Sequence, residues 1–244
     1  MLPCNWKFAA ENFAGDAYHV QTSHYSGVVI GWDTAPTANV RSGGRIISPG
    51  NGHGMMCIHP DDLDGTGLPE LIEYEKKIIL EMQKRLGPRA EMVKPIMGNV
   101  LPNTAMMRGG SRFIRVLHPR GPDKTEIWSW LYADKAAPQF VKDAFRLANI
   151  QVFGPSGVFE QDDMDNWQEC TRASKGAFAR RGMLNTKMGL GHDRFDKELG
   201  GWASDWRCSE NNHRQFYKRW LQLMNAQSWS ELEAMQGEDL MAAE

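Results

Sequence analysis

The chain has 244 residues, 41% of them hydrophobic and 24% charged, which is the composition of an ordinary globular protein long enough to bury one sizeable core. Lys and Arg total 28 against 30 Asp and Glu, and the resulting net charge of −2 removes any general attraction for nucleic acid or an anionic membrane. No apolar run approaches the roughly 20 residues that span a bilayer, and Met1-Leu2-Pro3-Cys4-Asn5-Trp6-Lys7 has no signal-peptide core, so a cytoplasmic protein acting on small molecules is expected.

In chain order, residues 5–26 are rich in aromatics and amides and carry His19 and His24, and residues 27–66, dense in Gly and Pro, predict loops and short strands. From Leu68 to Leu86 the apolar positions Leu68, Leu71, Ile72, Ile78, Ile79 and Met82 alternate with charges at helical spacing, and Gly87-Pro88 stops the run. Between Val93 and Asp134 the pattern becomes short apolar or alternating runs: Met106-Met107, then Phe113–Leu117, then Ile127–Tyr132. His118-Pro119-Arg120-Gly121-Pro122 reads as the turn of an antiparallel hairpin between the last two. Helical patterns follow over Pro138–Ala148 and Glu160–Arg181, residues 182–202 read as irregular, and a last amphipathic helix covers Asn211–Met224. A segregated sheet and helices predict a single α+β unit.

Chemistry concentrates in two places. His19 and His24 are five residues apart, about 140° around an ideal α-helix, so joint ligation of a metal requires a widened turn or a break in the helix there. Far downstream, Glu160, Asp162, Asp163 and Asp165 crowd near a helix start, where carboxylates also complement the helix dipole. Two histidines and one carboxylate form a facial triad able to hold Fe(II) with open positions for dioxygen, although the same donors can hold zinc for hydrolysis. The four cysteines, Cys4, Cys57, Cys170 and Cys208, are widely spaced and read as free thiols. Cys57-Ile58-His59 looks like half of a cysteine–histidine iron–sulfur pattern, but such a cluster needs two Cys and two His, so this pair reads as ordinary loop.

The run Cys4-Asn5-Trp6-Lys7, Glu11-Asn12-Phe13, Gly15-Asp16, Tyr18-His19 and His24 resembles the catalytic-domain opening of the Rieske-type aromatic-ring-hydroxylating dioxygenase large (alpha) subunits. Phe153-Gly154-Pro155 through Glu160-Gln161-Asp162-Asp163-Met164-Asp165-Asn166-Trp167 is similar to that family's later ligand segment. Leu101-Pro102-Asn103, His118-Pro119-Arg120-Gly121-Pro122 and Glu126-Ile127-Trp128 resemble its central strands, so the likeness runs from Cys4 to about Trp229.

The resemblance implies an α+β, helix-grip-like catalytic domain with a central antiparallel sheet flanked by helices. Position by position it implies His19, His24 and Asp163 as ligands of a mononuclear Fe(II), Asp16 as the carboxylate bridging toward an electron-donating centre, and Asn12 close to the iron. It also implies Phe13, Met97, Met107, Phe153 and Phe159 around the substrate, a suitable lining for a flat apolar ligand. Pro95 stands where family members often carry a histidine, so substrate preference does not carry over.

The implied reaction is cis-dihydroxylation of an apolar, bicyclic or polycyclic arene with O2. Residues 1–244 are expected to form the iron domain alone, the Rieske [2Fe–2S] cluster belonging to a missing N-terminal domain fed by a ferredoxin and reductase. A trimer or α3β3 assembly is expected of the full-length protein, and little turnover of this chain alone. Monohydroxylation or demethylation by the same triad, and an apolar binding cavity without catalysis, are the competing expectations.

Overall fold

The computed structural model describes residues 1–29, 44–59, 68–92, 94–109 and 111–241. Three helices open the chain: α1 (Trp6–Gly15), α2 (Val20–Ser23) and α3 (Tyr25–Val29). Then come β1 (Arg45–Gly50), β2 (His53–Ile58), α4 (Pro69–Leu86), α5 (Arg89–Met92), β3 (Lys94–Val100), β4 (Thr104–Met107), β5 (Phe113–Gly121) and β6 (Lys124–Leu131). The last third carries α6 (Gln139–Val152), α7 (Val158–Ser174), a 3-10 turn at Ala179–Arg181, β7 (Arg194–Asp196), β8 (Gly201–Ser204), α8 (Asn211–Asn225) and α9 (Trp229–Met241).

Among the described residues the strands make one antiparallel sheet of eight in the order β6-β5-β4-β3-β2-β1-β8-β7, which is the α+β architecture expected. The β1–β2 turn shows why the chain reverses where it does. Asn51 and Gly52 both have positive φ (54° and 74°), the requirement of a two-residue hairpin loop that Asn-Gly meets at little steric cost. The helix α1 lies close on the sheet because its inner face is small: Ala9, Ala10 and Ala14 are buried beside Phe13. At its end Asn212, opening α8, donates to the Ala14 carbonyl (2.5 Å) and the Met55 carbonyl (3.1 Å), tying two helices to β2. The core runs from these residues through Ile46, Met56, Met97, Phe113, Leu117, Trp167 and Phe216. A second cluster forms where α4 lays Leu71 and Tyr74 against Val141, Phe145 and Ala148 of α6.

The expected helix over Leu68–Leu86 and the last one over Asn211–Met224 are present almost as predicted. The hairpin between β5 and β6 is present too, but its turn lies later than His118–Pro122. Pairing continues through His118 with Glu126 and Pro119 with Thr125, and only Pro122 and Asp123 lie outside the strands. Pro119 is tolerated because β5 parts from β4 after Val116, leaving one of its edges without a strand. The helix predicted to reach Arg181 stops at Ser174, where Lys175 and Gly176 turn the chain. Within the stretch read as irregular, β8 returns to pair with β1 and β7 pairs with β8 at the sheet's edge. No described helix is long and apolar enough to cross a membrane.

Candidate metal centre

The helix breaks fall on either side of the histidine pair and not between its members: α1 ends before His19, and the short α2 between the two ends at His24. Asp16 caps α1, His19 occupies the N-cap and His24 the C-cap of the four-residue α2. Their imidazoles therefore project from the two ends of one short turn rather than from opposite sides of a continuous helix, and the ring centroids lie 4.8 Å apart. The helix α7 brings the carboxylate. It starts after a tight Gly154–Gly157 turn in which a Cβ on Gly157 would lie 2.4 Å from the Val152 carbonyl, so the chain reverses closely enough to aim the first turns of α7 at the histidines.

The three donor atoms converge. His19 Nε2 lies 3.1 Å from His24 Nε2 and 3.2 Å from Asp163 Oδ1, and His24 Nε2 lies 3.3 Å from the same oxygen. Among the described residues this is the one group of three or more His, Cys, Asp or Glu side chains able to share an ion. The outer nitrogens are already engaged: His19 Nδ1 is 2.7 Å from the Asp16 carbonyl oxygen and 3.3 Å from its carboxylate, and His24 Nδ1 is 3.1 Å from Asp162 Oδ2. In the neutral tautomer that donates Nδ1 outward, each ring turns its Nε2 lone pair to the point that the Asp163 oxygen also faces. Ligand bonds of about 2.1 Å put donor atoms roughly 3.0 to 3.4 Å apart, the size of the triangle observed, so a first-row divalent cation fits these residues.

Electrostatics favour a positive charge at that point. Burial works against protonation of His19, but Asp16 and Asp163 outweigh it and push the imidazole up to about 10. Burial would raise Asp163, yet the two histidines hold it down at about 2. Asp16 is also drawn below its usual range, burial being outweighed by His19.

The predicted residues fall into groups. Asn12 is buried and its side-chain amide lies 3.5 Å from Asp16 Oδ2. With Phe8, Glu11, Asp16, His19 and Asp163 it lines a cavity of about 220 Å³ beside the donor triangle. Phe13, Phe153 and Phe159 join one chain of ring contacts through Phe113, ending where Phe159 stacks on His24 at 4.4 Å. Gly27 makes that stacking possible, since a Cβ there would lie 2.1 Å from Phe159 Cε1. Met97 and Met107 pair across β3 and β4 on the rung that continues to Phe113, and both line a separate apolar groove of about 400 Å³ with Ile96, Met106 and Tyr132. None of the three donors lines that groove.

Two contacts escaped the sequence: Asp162 as the partner of His24, and the buried pair of Arg115 with Glu160 at 2.6 Å. Adjacent residues on a helix point about 100° apart, so the Asp162-Asp163 doublet could have suggested that one carboxylate binds while the other supports.

Glu11 on the cavity wall gives a pH test. Burial pushes its carboxyl up to about 7, although the Tyr217 hydroxyl hydrogen-bonds to it and works the other way. A carboxyl whose folded pKa is raised contributes fully below its ordinary pKa of about 4.5, and that contribution is lost as pH climbs toward 7. Glu11→Gln is therefore expected to gain stability over the parent between pH 5 and pH 8, by no more than about 3 kcal/mol, in paired urea titrations. A difference that does not change with pH would refute this.

The family model for the ring hydroxylating alpha subunit, catalytic domain, matches residues 1–226. The biphenyl 2,3-dioxygenase subunit alpha of Rhodococcus jostii (strain RHA1) is 32% identical over 96% of this chain and 53% of its own length. The chlorobenzene dioxygenase subunit alpha of Cupriavidus sp. (strain PS12) is 33% identical over 96% of this chain and 54% of its own. Among solved structures, naphthalene 1,2-dioxygenase from Rhodococcus sp. bound to indole superposes with a TM-score of 0.76 at 35% identity, covering 93% of this chain and 55% of that one. The chain thus spans about half the length of the curated relatives it matches. With the donor triangle, the sheet and these matches in agreement, the chain belongs to the ring-hydroxylating dioxygenase alpha-subunit family, within its catalytic domain.

Proposed function

We propose that this chain is the iron-holding catalytic unit of a ring-hydroxylating dioxygenase that cis-dihydroxylates an apolar arene with O2. The convergence of His19, His24 and Asp163 on one point carries the reading, and the naming of its relatives as biphenyl, chlorobenzene and benzene dioxygenase alpha subunits supports it. Fe(II) held by these three side chains would supply the dioxygen-activating chemistry of non-haem oxygenases, with ligand positions left open.

The protein's own part is positional. The Asp16 carbonyl and the Asp162 carboxylate accept the Nδ1 protons of the two imidazoles, which fixes ring orientation and keeps both Nε2 atoms free to bind. Phe159, stacked on His24, restrains that ring. The side chains of His24 and Asp163, each about 5% exposed or less, keep bulk water from the donors. Phe153 and Phe159 bring aromatic rings up to His24, Phe13 packs in the core, and Met97 and Met107 line the separate apolar groove along the sheet. Asn12 and Asp16 line the more polar opening, where an electron donor is to be sought.

In this reading residues 1–244 act as the catalytic unit, and electrons come from a Rieske [2Fe–2S] centre on another unit, supplied in turn by a ferredoxin and reductase. The working assembly is a trimer or α3β3 oligomer, and the setting is cytoplasmic.

The test is product analysis after Fe(II) loading, with naphthalene or biphenyl, a cluster-bearing partner, a reductase and 18O2. A cis-dihydrodiol carrying two labelled oxygens is expected. A singly labelled phenol would favour monohydroxylation, and bound arene with no product under conditions that reduce the partner would favour a cavity without catalysis.

A further inference from the structure

This inference rests on the proposed metal reading and concerns how Asp163 is held at the correct height opposite the histidines. The residues that α7 buries are Phe159, Glu160, Asp163, Trp167 and Thr171, so Glu160 and Asp163, three apart, share one helix face. Glu160 does not meet the iron donors. Its Oε2 lies 2.6 Å from Arg115 Nη2 on β5, with side-chain exposures of 6% and 2%. The same Nη2 donates to the Phe153 carbonyl at 3.0 Å. Phe153 caps α6, so one guanidinium grips the chain on both sides of the Gly154–Gly157 turn that delivers α7.

Arg115 is itself fixed. Its strand is paired on both sides, Arg115 opposite Ala105 and Ser129. Its guanidinium carbon sits 4.1 Å from the Phe113 ring centroid, 5.6 Å from Phe13 and 6.0 Å from Phe153. The pair is a poor way to gain stability. Its Nη1 is buried with no hydrogen-bond partner among the described residues, and burial pushes the Glu160 carboxyl up in spite of Arg115. Buried ion pairs are often matched or exceeded in stability by apolar residues of the same volume, whereas a bidirectional charged contact fixes position more sharply than apolar packing does.

We infer that Arg115 and Glu160 are positioning residues that set the axial register of α7, and through it the place of Asp163 against His19 and His24. A one-residue slip of α7 would move Asp163 by about 1.5 Å and turn it by about 100°, enough to remove it from the donor triangle.

The test compares the parent chain with Arg115→Met/Glu160→Leu, in which an apolar pair fills the space without leaving a lone buried charge, and with Glu160→Gln, which keeps a hydrogen-bond acceptor. Co(II) is the probe, read by its dissociation constant and its visible absorption band, with circular dichroism and thermal midpoint measured on the same samples. The double variant is expected to fold with a midpoint near the parent's, to bind Co(II) about ten- to a hundredfold more weakly and to show an altered band, and Glu160→Gln to stay within about threefold of the parent. A folded double variant with parental affinity and band overturns the inference. A double variant that does not fold overturns it as well, since the pair would then be a requirement of the fold and not of register. If the parent binds no Co(II), the metal reading beneath the inference fails and takes it along.

Discussion

Asp163→Ala, loaded anaerobically with Fe(II) and desalted, is expected to keep less than about a tenth of the iron of the parent chain, which should hold close to one ion. The carboxylate is the one anionic donor of the triangle, and its removal leaves two imidazoles 3.1 Å apart with the remaining carboxylates, Asp16 and Asp162, on their far sides. Asp162→Asn should be milder. It leaves all three donors in place and weakens only the contact that orients His24 at 3.1 Å, so a loss of about tenfold in affinity is expected. His19→Ala should resemble Asp163→Ala. Iron content by inductively coupled plasma emission on the three variants gives the ranking, and equal iron in the parent and Asp163→Ala would remove the triad as the site.

Phe13→Ala should be the most damaging of the aromatic substitutions to the fold. The ring is 1% exposed, packs edge-on to Phe113 at 5.8 Å, tilts against Trp167 at 6.4 Å and lies under the Arg115 guanidinium. It touches α7, the sheet and its own helix at once, so the space it leaves cannot be filled by moving one neighbour. A loss of about 3 to 5 kcal/mol is expected, seen as a lower denaturation midpoint at unchanged slope. A loss below about 1 kcal/mol would place the ring at a cavity wall instead, where a bound arene and not the core would be its neighbour.

These residues also show what the sequence could and could not disclose. The helices α4 and α8 were readable because their apolar spacing and end signals are local, and β5 and β6 because their runs are long and joined by a short turn. The strands β7 and β8 were not, being three and four residues long, with β8 held by pairing with β1, far away in sequence, and β7 only by β8. Strand alternation in Phe113-Ile114-Arg115-Val116-Leu117 announces a strand but suggests that arginine faces water. The structure does the reverse of what charge implies for this position: Arg115 is 1% exposed and Ile114 is 39% exposed. The reason lies in Glu160, 45 residues on, which no local pattern links to it. The spacing of His19 and His24 told only that an unbroken helix could not bring them together, and the choice of Asp163 among four neighbouring carboxylates came from the family resemblance, because no local pattern separates it from Asp162. The lining of the substrate region was less legible still, since Phe and Met serve cores and cavities equally well.

The donors come from opposite ends of the chain's construction. His19 and His24 precede every described strand, while Asp162 and Asp163 arrive only after β6, with 138 positions separating His24 from Asp162. A nascent polypeptide must therefore finish the six-strand meander before its coordinating groups can meet, and a half-made chain holds the two histidines without the carboxylate. Once shared, an ion would close that long loop much as a covalent cross-link does, and in chain-entropy terms closing a loop of this size is worth about 4 to 5 kcal/mol. Iron in this protein would then be a fastener as well as a reagent, and starvation for the metal would shorten the life of the folded chain as well as silence it.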